Sequence, residues 1–332
     1  MYNIKSRLEV GDKFKYKGVF SMKKIISLVL ACMMLLSTSV FAATFSDMPA
    51  DGHWATAALN NAVNNGLLTG SDGRIFPEDN MTRAEMATII VRACGALKDA
   101  DISAYTDVST DDWFYASMSK AVAMGAFNGS DGKLRPNNNI TRQEAFVVLS
   151  RVFGLNAGKV STDVLNQFKD ANKVADWAKE SVAAIIEKGY VGGANGMLSP
   201  LANITRAEFA VVMDRIIKYY IDDADVTEIP VDGNVMIRVA GLNLDGFETD
   251  KMVVIGDAVG NEKVVISNTK ISNLLVVRGG NTVDVSGQFA DIRIVVPGIT
   301  VSGSPHDIES IDVCDGSLYS MGTILGPELF NQ

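Results

Sequence analysis

The sequence predicts a multidomain chain in which three copies of a mainly α-helical unit are followed by an all-β region. One observation is a five-residue motif that occurs three times, as MTRAE at 81–85, ITRQE at 140–144 and ITRAE at 204–208. A second is a tryptophan at one constant distance before the threonine of each motif, at Trp54, Trp113 and Trp177. The third is a switch near residues 221–232 from helical patterning to short β-type runs. Equal spacing in three copies indicates one structural unit used three times.

The N-terminal segment predicts export. Residues 22–42 have a basic start, an apolar core and a small-residue end, which is the pattern of a secretory signal peptide. A membrane anchor needs about 20 apolar residues, which is longer than this run. A lipoprotein interpretation of Cys32 fits poorly because apolar residues continue beyond it. Since the signal begins at Met22, we interpret residues 1–21 as an upstream start assigned too early.

The composition excludes several classes of function. The chain has a net charge of −9, and acidic residues outnumber lysines and arginines further once the basic segment 1–42 is set aside. Nucleic acid is therefore not an expected partner, because phosphate binding needs a basic face. Beyond the signal only Cys94 and Cys314 remain, so no disulfide framework is predicted. Cys94 aligns with the apolar Phe153 of the second copy, which predicts a thiol packed in the core.

Each repeated unit predicts two helices joined by a turn. The first helix starts near the tryptophan and ends at the next glycine, which is Gly66, Gly125 or Gly189. A tight turn follows (GSDG, GSDG or GANG), then a proline and the second helix. The motif threonine and the glutamate three residues later form a capping box that starts this helix. The units are predicted at 45–95, 105–154 and 168–220.

The arginine after each motif threonine occupies the first helical position, where a cation opposes the helix dipole. These residues are Arg83, Arg142 and Arg206. One interpretation is an anionic ligand attracted by both the guanidinium and the helix end. The other is an ion pair with a carboxylate near the start of each unit, at Asp47, Asp107 or Asp170. The tryptophans likewise have two interpretations, as core anchors or as rings that stack on a sugar.

These motifs resemble the S-layer homology module, and the likeness covers roughly residues 45–220. The resemblance implies that the three modules fold into one pseudo-threefold helical bundle, with grooves that bind secondary cell-wall polysaccharide, often through a pyruvate ketal. It assigns glycan binding to the motif arginines, the tryptophans and the turn glycines: Arg83, Arg142, Arg206, Trp54, Trp113, Trp177, Gly70, Gly129 and Gly193. Met81, Gln143 and the serine-free third turn depart from the family pattern.

Residues 233–332 predict an all-β domain after a linker at 221–232. The run at 264–277 aligns without gaps on 283–296, and the run at 299–303 repeats features of 283–287. Short and similar offsets between these runs favour the coils of a β-solenoid, taken here as right-handed. An ordinary β-sandwich is the alternative for such short strands. The region also resembles a solenoid segment found beside S-layer homology modules, which implies no activity.

The chain offers little for catalysis. It has two histidines, His53 and His306, and lacks the usual nucleophile, phosphate and metal motifs, so no cofactor or metal is predicted. The carboxylates on candidate β-strands are more typical of solvated charges than of paired acids. They are Asp284, Asp291, Glu309 and Asp312.

We therefore expect a secreted, non-enzymatic protein without a transmembrane span in its mature form. The modules would anchor it noncovalently to cell-wall polysaccharide, and the β-domain would be displayed, with self-assembly into a surface layer as a second candidate role. One alternative is an anchored polysaccharide-active enzyme, a lyase or hydrolase with its site on the β-domain. Another is direct binding of the modules to peptidoglycan.

Overall fold

The computed structural model describes residues 45–155 and 160–321, all of which belong to one compact unit of the chain. The predicted early start at 1–21 and the predicted signal peptide at 22–42 lie outside the described residues. Within the described residues, every helix is too short or too polar to cross a bilayer.

The described residues contain six α-helices that form three pairs, one pair in each repeated unit, and we call these units modules one, two and three. The helices are α1 (Thr56–Asn64), α2 (Arg83–Cys94), α3 (Tyr115–Ala123), α4 (Arg142–Val152), α5 (Lys179–Glu187) and α6 (Arg206–Ile216). The main helix–helix contacts cross between modules, because α3 packs on α2, α5 packs on α4, and α1 packs on α6. These contacts close a ring, so the predicted pseudo-threefold helical bundle is confirmed.

A triangle of backbone hydrogen bonds lies at the centre of this ring. Met81 donates to the carbonyl of Ile204, Ile204 donates to Ile140, and Ile140 donates back to Met81, over 2.9–3.1 Å. All three side chains are fully buried. The residue before each motif threonine is therefore apolar because it packs at the centre of the ring. A methionine at position 81 satisfies this requirement as well as the isoleucines do.

The capping boxes predicted at Thr82, Thr141 and Thr205 are all present. In each second helix, the third amide is bonded to the threonine of the capping box. The first two amides are also bonded, each to a carbonyl of another module. In α2, Arg83 N–H donates to Asn138 and Ala84 N–H donates to Pro136, both at 2.9 Å. The second helices of the other two modules repeat this arrangement. The first-turn amides, which are left unpaired within a helix, are therefore used to join the modules.

The C-terminal region is a parallel β-solenoid of about six turns, as predicted, and the β-sandwich alternative is wrong. Its strands are β1 (Tyr219–Ile221), β2 (Val235–Ile237), β3 (Leu244–Asp245), β4 (Glu248–Thr249), β5 (Val253–Ile255), β6 (Lys263–Val277), β7 (Thr282–Ile294), β8 (Thr300–Gly303), β9 (Ile311–Val313) and β10 (Leu318–Met321). The main path of pairing runs β1-β2-β5-β6-β7-β8-β10. Valine, isoleucine and leucine side chains fill the interior of the coils.

The strand register corrects the predicted repeat. The expected pairing holds where Val264 pairs with Val283, but two irregularities follow, so Val277 pairs with Ile294 rather than with Val296. The predicted alignment of 299–303 on 283–287 is also displaced by two residues, since Val301 pairs with Val283 rather than with Val285. Bulges absorb the extra residues without turning the apolar side chains outward, so a gapless alignment does not detect them.

The helical and β regions are joined directly and share one core. Strand β1 begins at Tyr219, three residues after the end of α6, and Ile221 within the expected linker is a buried strand residue. The rest of that segment connects β1 to β2. Side chains of the solenoid, such as Met236 and Val276, belong to the same buried cluster as the module helices.

Two arginines of the solenoid also bond to the ends of module helices. Arg278, whose side chain is fully buried, pairs with Asp257 at 2.7 Å and donates to the carbonyl of Val152 at the end of α4. Arg238 donates to the carbonyl of Arg92 near the end of α2. A cation at a helix C-terminus is electrostatically favourable. The solenoid is thus fixed on the modules by both apolar packing and charged hydrogen bonds.

Candidate functional site

Two grooves on the helical ring bring the predicted site residues together. The first, of about 200 Å³, places Trp113 of module two and Arg206 of module three against the second helix of module one, where Glu85 and Arg92 line it. The second, of about 300 Å³, places Trp54 of module one and Arg142 of module two against the second helix of module three, where Glu208 and Arg215 line it.

Equivalent helix packing and hydrogen bonds occur at a third position of the ring, and we infer a third groove there from this equivalence. Helix α5 follows Trp177 and packs on α4. Arg83 of module one reaches module two, where it donates to the carbonyls of Leu134 and Asn128. The third groove therefore takes its tryptophan from module three, its arginine from module one and its helix from module two.

The predicted site residues of one module thus do not share one groove. The tryptophan, arginine and turn glycine of module one are distributed over three grooves: Trp54 lies in the second, Arg83 in the third, and Gly70 beside the first. This distribution follows from the ring, because each arginine and each first helix reaches a different neighbour. Sequence spacing identifies which residues are equivalent but does not show which of them meet.

The tryptophans are surface residues, which excludes their interpretation as core anchors. Trp54, Trp113 and Trp177 are 57%, 66% and 60% exposed, while most large apolar side chains around them are buried. An exposed tryptophan is available for stacking on the apolar face of a sugar ring. The structure is thus compatible with the stacking role that the family resemblance implies.

The arginines are held by a neighbouring module. The Nε atoms of Arg83, Arg142 and Arg206 each donate to a carbonyl next to a turn of another module, over 2.9–3.0 Å. Arg142 pairs with Glu208 at 2.7 Å and Arg206 pairs with Glu85 at 2.9 Å. Ion pairs therefore do exist, but the alternative that assigned them to loop aspartates is wrong. The partners are the capping-box glutamates of the neighbouring module.

The helix ends themselves are closed to a ligand. As described above, the first two amides of each second helix bond to carbonyls of another module, and the threonine side chain takes the third. The interpretation in which an anion binds the helix N-terminus is therefore wrong in that detail. Any anion in a groove would be attracted by the arginine side chain rather than by backbone amides.

The aspartates near the start of each module have a structural role. Each accepts two backbone hydrogen bonds from the loop before the second helix; for Asp170, the donors are Leu198 and Ser199, both at 2.8 Å. Burial acts to raise the pKa of Asp170, but these two hydrogen bonds outweigh it and the pKa lies below its usual value. The pKa of Asp47 is lowered against burial in the same way by Ile75 and Phe76.

The turn glycines are required by close packing. A Cβ atom on Gly129 would lie 2.2 Å from the ring of Tyr105, and one on Gly70 would lie 2.4 Å from the ring of Phe45. At Gly193, the backbone also has a positive φ of 66°. Gly193 does line the second groove. These glycines are thus fixed by the fold, and their approach to a ligand stays a prediction.

Sequence reasoning gave no role to Gln143, the departure in the second motif. Its side chain is buried and accepts a hydrogen bond from Ala175 N–H, two residues before Trp177. It therefore fixes the segment that carries the tryptophan of the third groove. Alanine at the equivalent positions, Ala84 and Ala207, cannot make this bond. The change from alanine was the only signal in the sequence.

Comparison with known proteins identifies the repeated unit. The S-layer homology domain model matches residues 44–87, 104–146 and 167–210. The Surface-layer 125 kDa protein of Lysinibacillus sphaericus is 34% identical over 53% of this chain and 15% of its own length. An S-layer protein of Bacillus thuringiensis subsp. finitimus is 27% identical over 76% of this chain and 31% of its own length.

A third relative is an enzyme by name. The Amylopullulanase of Thermoanaerobacterium thermosulfurigenes is 28% identical over 51% of this chain and 9% of its own length. The chain thus spans less than a third of the length of each of these relatives. The family matches and the surface-layer relatives together establish the class of the molecule. The chain carries three tandem S-layer homology domains followed by a β-solenoid, and it is a cell-surface protein anchored at the cell wall.

Proposed function

We propose that the three grooves bind cell-wall polysaccharide noncovalently and that the solenoid is displayed on the modules. The observation that carries this proposal is the repeated combination of an exposed tryptophan with an arginine in one groove. An aromatic face suits the apolar side of a sugar, and a guanidinium suits a carboxylate such as that of a pyruvate ketal.

Three grooves on one ring of modules favour a polymer over a single sugar. Each groove is small and open, so one sugar unit would bind weakly. A repeating polysaccharide presents many copies of the same unit, and occupation of one groove raises the effective concentration at the others. The wall polymer is therefore the ligand class that this arrangement suits best.

We also propose that the chain is not an enzyme. Two of the carboxylates considered for catalysis are ion-paired, Asp284 with Lys263 at 2.6 Å and Asp291 with Arg293 at 2.7 Å. Glu309 and Asp312 are exposed and lie near the last turns of the solenoid. Ion-paired and solvated carboxylates of this kind support the proposal that none of the four is catalytic. An assay for sugar release from wall glycans by residues 43–332 would contradict the proposal if hydrolysis or lyase products appeared.

The binding proposal is tested with residues 43–332 on purified cell walls, before and after the secondary polysaccharide is removed. We expect sedimentation with intact walls and loss of binding on stripped walls. The matched variant replaces Trp54, Trp113 and Trp177 by alanine. The removed side chains are more than half exposed, so the fold should persist by circular dichroism while binding falls at least tenfold.

Two results would redirect the proposal. Binding that survives removal of the polysaccharide would contradict the proposed ligand and would favour peptidoglycan or a protein partner in its place. If the triple tryptophan variant bound as strongly as the unchanged protein, the grooves would not be the binding sites. Self-assembly into a surface layer is a separate proposal, supported by the S-layer relatives, and is tested by analytical ultracentrifugation of the same protein.

A further inference from the structure

The three grooves differ in charge although the motif that builds them is repeated. In the first and second grooves, the arginine is neutralised by the capping-box glutamate, and the arginine side chains are only 9% and 12% exposed. In the third groove, Arg83 forms no ion pair with any carboxylate of residues 45–155 or 160–321. Its Nη2 atom makes one long hydrogen bond, 3.5 Å, to the carbonyl of Asn128.

Beside the third groove there is also an arginine at a position where the other two modules have none. Arg135 follows Leu134, whose carbonyl binds Arg83, and the equivalent residues of modules one and three are Phe76 and Ser199. The Arg135 side chain is 37% exposed and is fixed at the turn by Ser130, at 2.7 Å, and by Asp131, at 3.2 Å. It is therefore preorganised at this position.

The two arginines are close enough to affect each other. Burial lowers the pKa of Arg83, the carboxylates of Glu144 and Asp107 oppose that shift, and the charge of Arg135 adds to it. Glu144 uses one carboxylate oxygen for its own capping box, where it accepts from Thr141. The guanidinium of Arg83 therefore lies near a second cation, and no carboxylate of the described residues is within ion-pair distance of it.

We propose that the third groove is the one that holds an acidic group of the wall polymer, and that Arg135 is a further binding residue there. The inference rests on the proposed function, which it refines by assigning the acidic part of the ligand to one groove. A carboxylate entering the first or second groove would have to displace a glutamate from its arginine and leave that glutamate without its cationic partner. In the third groove it would gain a charge-assisted hydrogen bond without that loss.

The test uses residues 43–332 with Arg135 replaced by serine, the residue that module three carries at this position. The matched control is Lys263→Ser, which removes the same charge from an exposed ion pair on β6. Affinity is measured by calorimetry for solubilised wall polymer and for the same polymer after its carboxyl groups have been reduced. We expect Arg135→Ser to bind the native polymer about tenfold more weakly, since one charge-assisted contact is lost.

The control and the second ligand make the result specific. We expect Lys263→Ser to bind within twofold of the unchanged protein. Carboxyl reduction should weaken the unchanged protein more than the Arg135→Ser change does, because it also removes the partner of Arg83, and it should weaken the Arg135→Ser variant less than it weakens the unchanged protein. Equal affinity of Arg135→Ser and the unchanged protein for native polymer would overturn the inference and leave the proposed function standing. Failure of the unchanged protein to bind at all would overturn both.

Discussion

The helical ring and the β-solenoid are both built from repeats, but the repeats differ in how strictly their spacing is kept. From tryptophan to motif, the three modules keep the same count without a gap, whereas the offset between paired coils changes along β6 and β7. In the ring, each repeat supplies specific polar side chains to a neighbouring module. An inserted or deleted residue would move those side chains away from their partners, so the spacing between them is kept. In the solenoid, backbone pairing and apolar filling hold the coils together, and these tolerate bulges.

The junction between the two regions should show the largest effect of a single substitution. Arg278→Ala leaves Asp257 without its partner and the Val152 carbonyl without a donor in a buried setting. We expect a loss of about 3–5 kcal/mol in the free energy of unfolding, measured by urea denaturation. A loss below about 1 kcal/mol would show that the solenoid is not fixed to the modules through this pair.

A double variant serves as the control for that prediction. Arg278→Met combined with Asp257→Asn removes both charges and keeps side-chain volume. Because a buried ion pair is often replaceable by neutral groups, we expect most of the stability to return.

The module loops should show a smaller effect that depends on pH. Asp170→Asn weakens the acceptor for two backbone amides and should cost about 1.5–3 kcal/mol at neutral pH. Because the folded-state pKa of Asp170 lies below its unfolded value, its contribution is complete above about pH 4 and is lost as the pH falls through the folded-state pKa. Urea denaturation should therefore show the variant and the unchanged protein converging in acid. A gap that stays constant with pH would contradict the role given to the carboxylate.

The helix caps should show the smallest loss of stability, and the loss should be nearly the same in all three modules. Thr82→Ala, Thr141→Ala and Thr205→Ala each remove one capping box and should each cost about 1 kcal/mol. Thermal unfolding of the three variants should agree closely if the modules are equivalent in structure. One cap that costs several times more than the others would show that the ring is less symmetric than its backbone.

The sequence predicted the modules, their caps and their turns because these depend on contacts between residues close in the chain. It did not predict which residues meet in a groove. Trp54 and Arg142 are brought together only when the three modules form the ring. The spacing of residues within one module does not show which modules become neighbours. The partners of the arginines were missed for the same reason, since Glu85 and Glu208 had already been assigned to their own capping boxes.

In the solenoid, the sequence predicted the coils but not their register. The bulges near Thr269 and Leu274 shift the pairing by single residues, and strands rich in valine and isoleucine give no side-chain signal for such shifts. The junction was missed because a buried arginine such as Arg278 looks like any charged residue in the sequence.

Double variants test most directly whether each groove combines residues of three modules. Trp113→Ala with Arg206→Gln damages only the first groove, whereas Trp113→Ala with Arg142→Gln damages the first and the second. The reciprocal pairs are Trp54→Ala with Arg142→Gln and Trp54→Ala with Arg206→Gln. Affinity for wall polymer is measured for each double variant and its single variants, with folding checked by circular dichroism.

We predict that effects overlap within a groove and add between grooves. The two same-groove pairs should therefore show a coupling of about 0.5 kcal/mol or more, and the two different-groove pairs should be additive within about 0.3–0.5 kcal/mol. Additive effects for the two same-groove pairs, together with coupling in the two different-groove pairs, would contradict the claim that each groove combines residues of three modules.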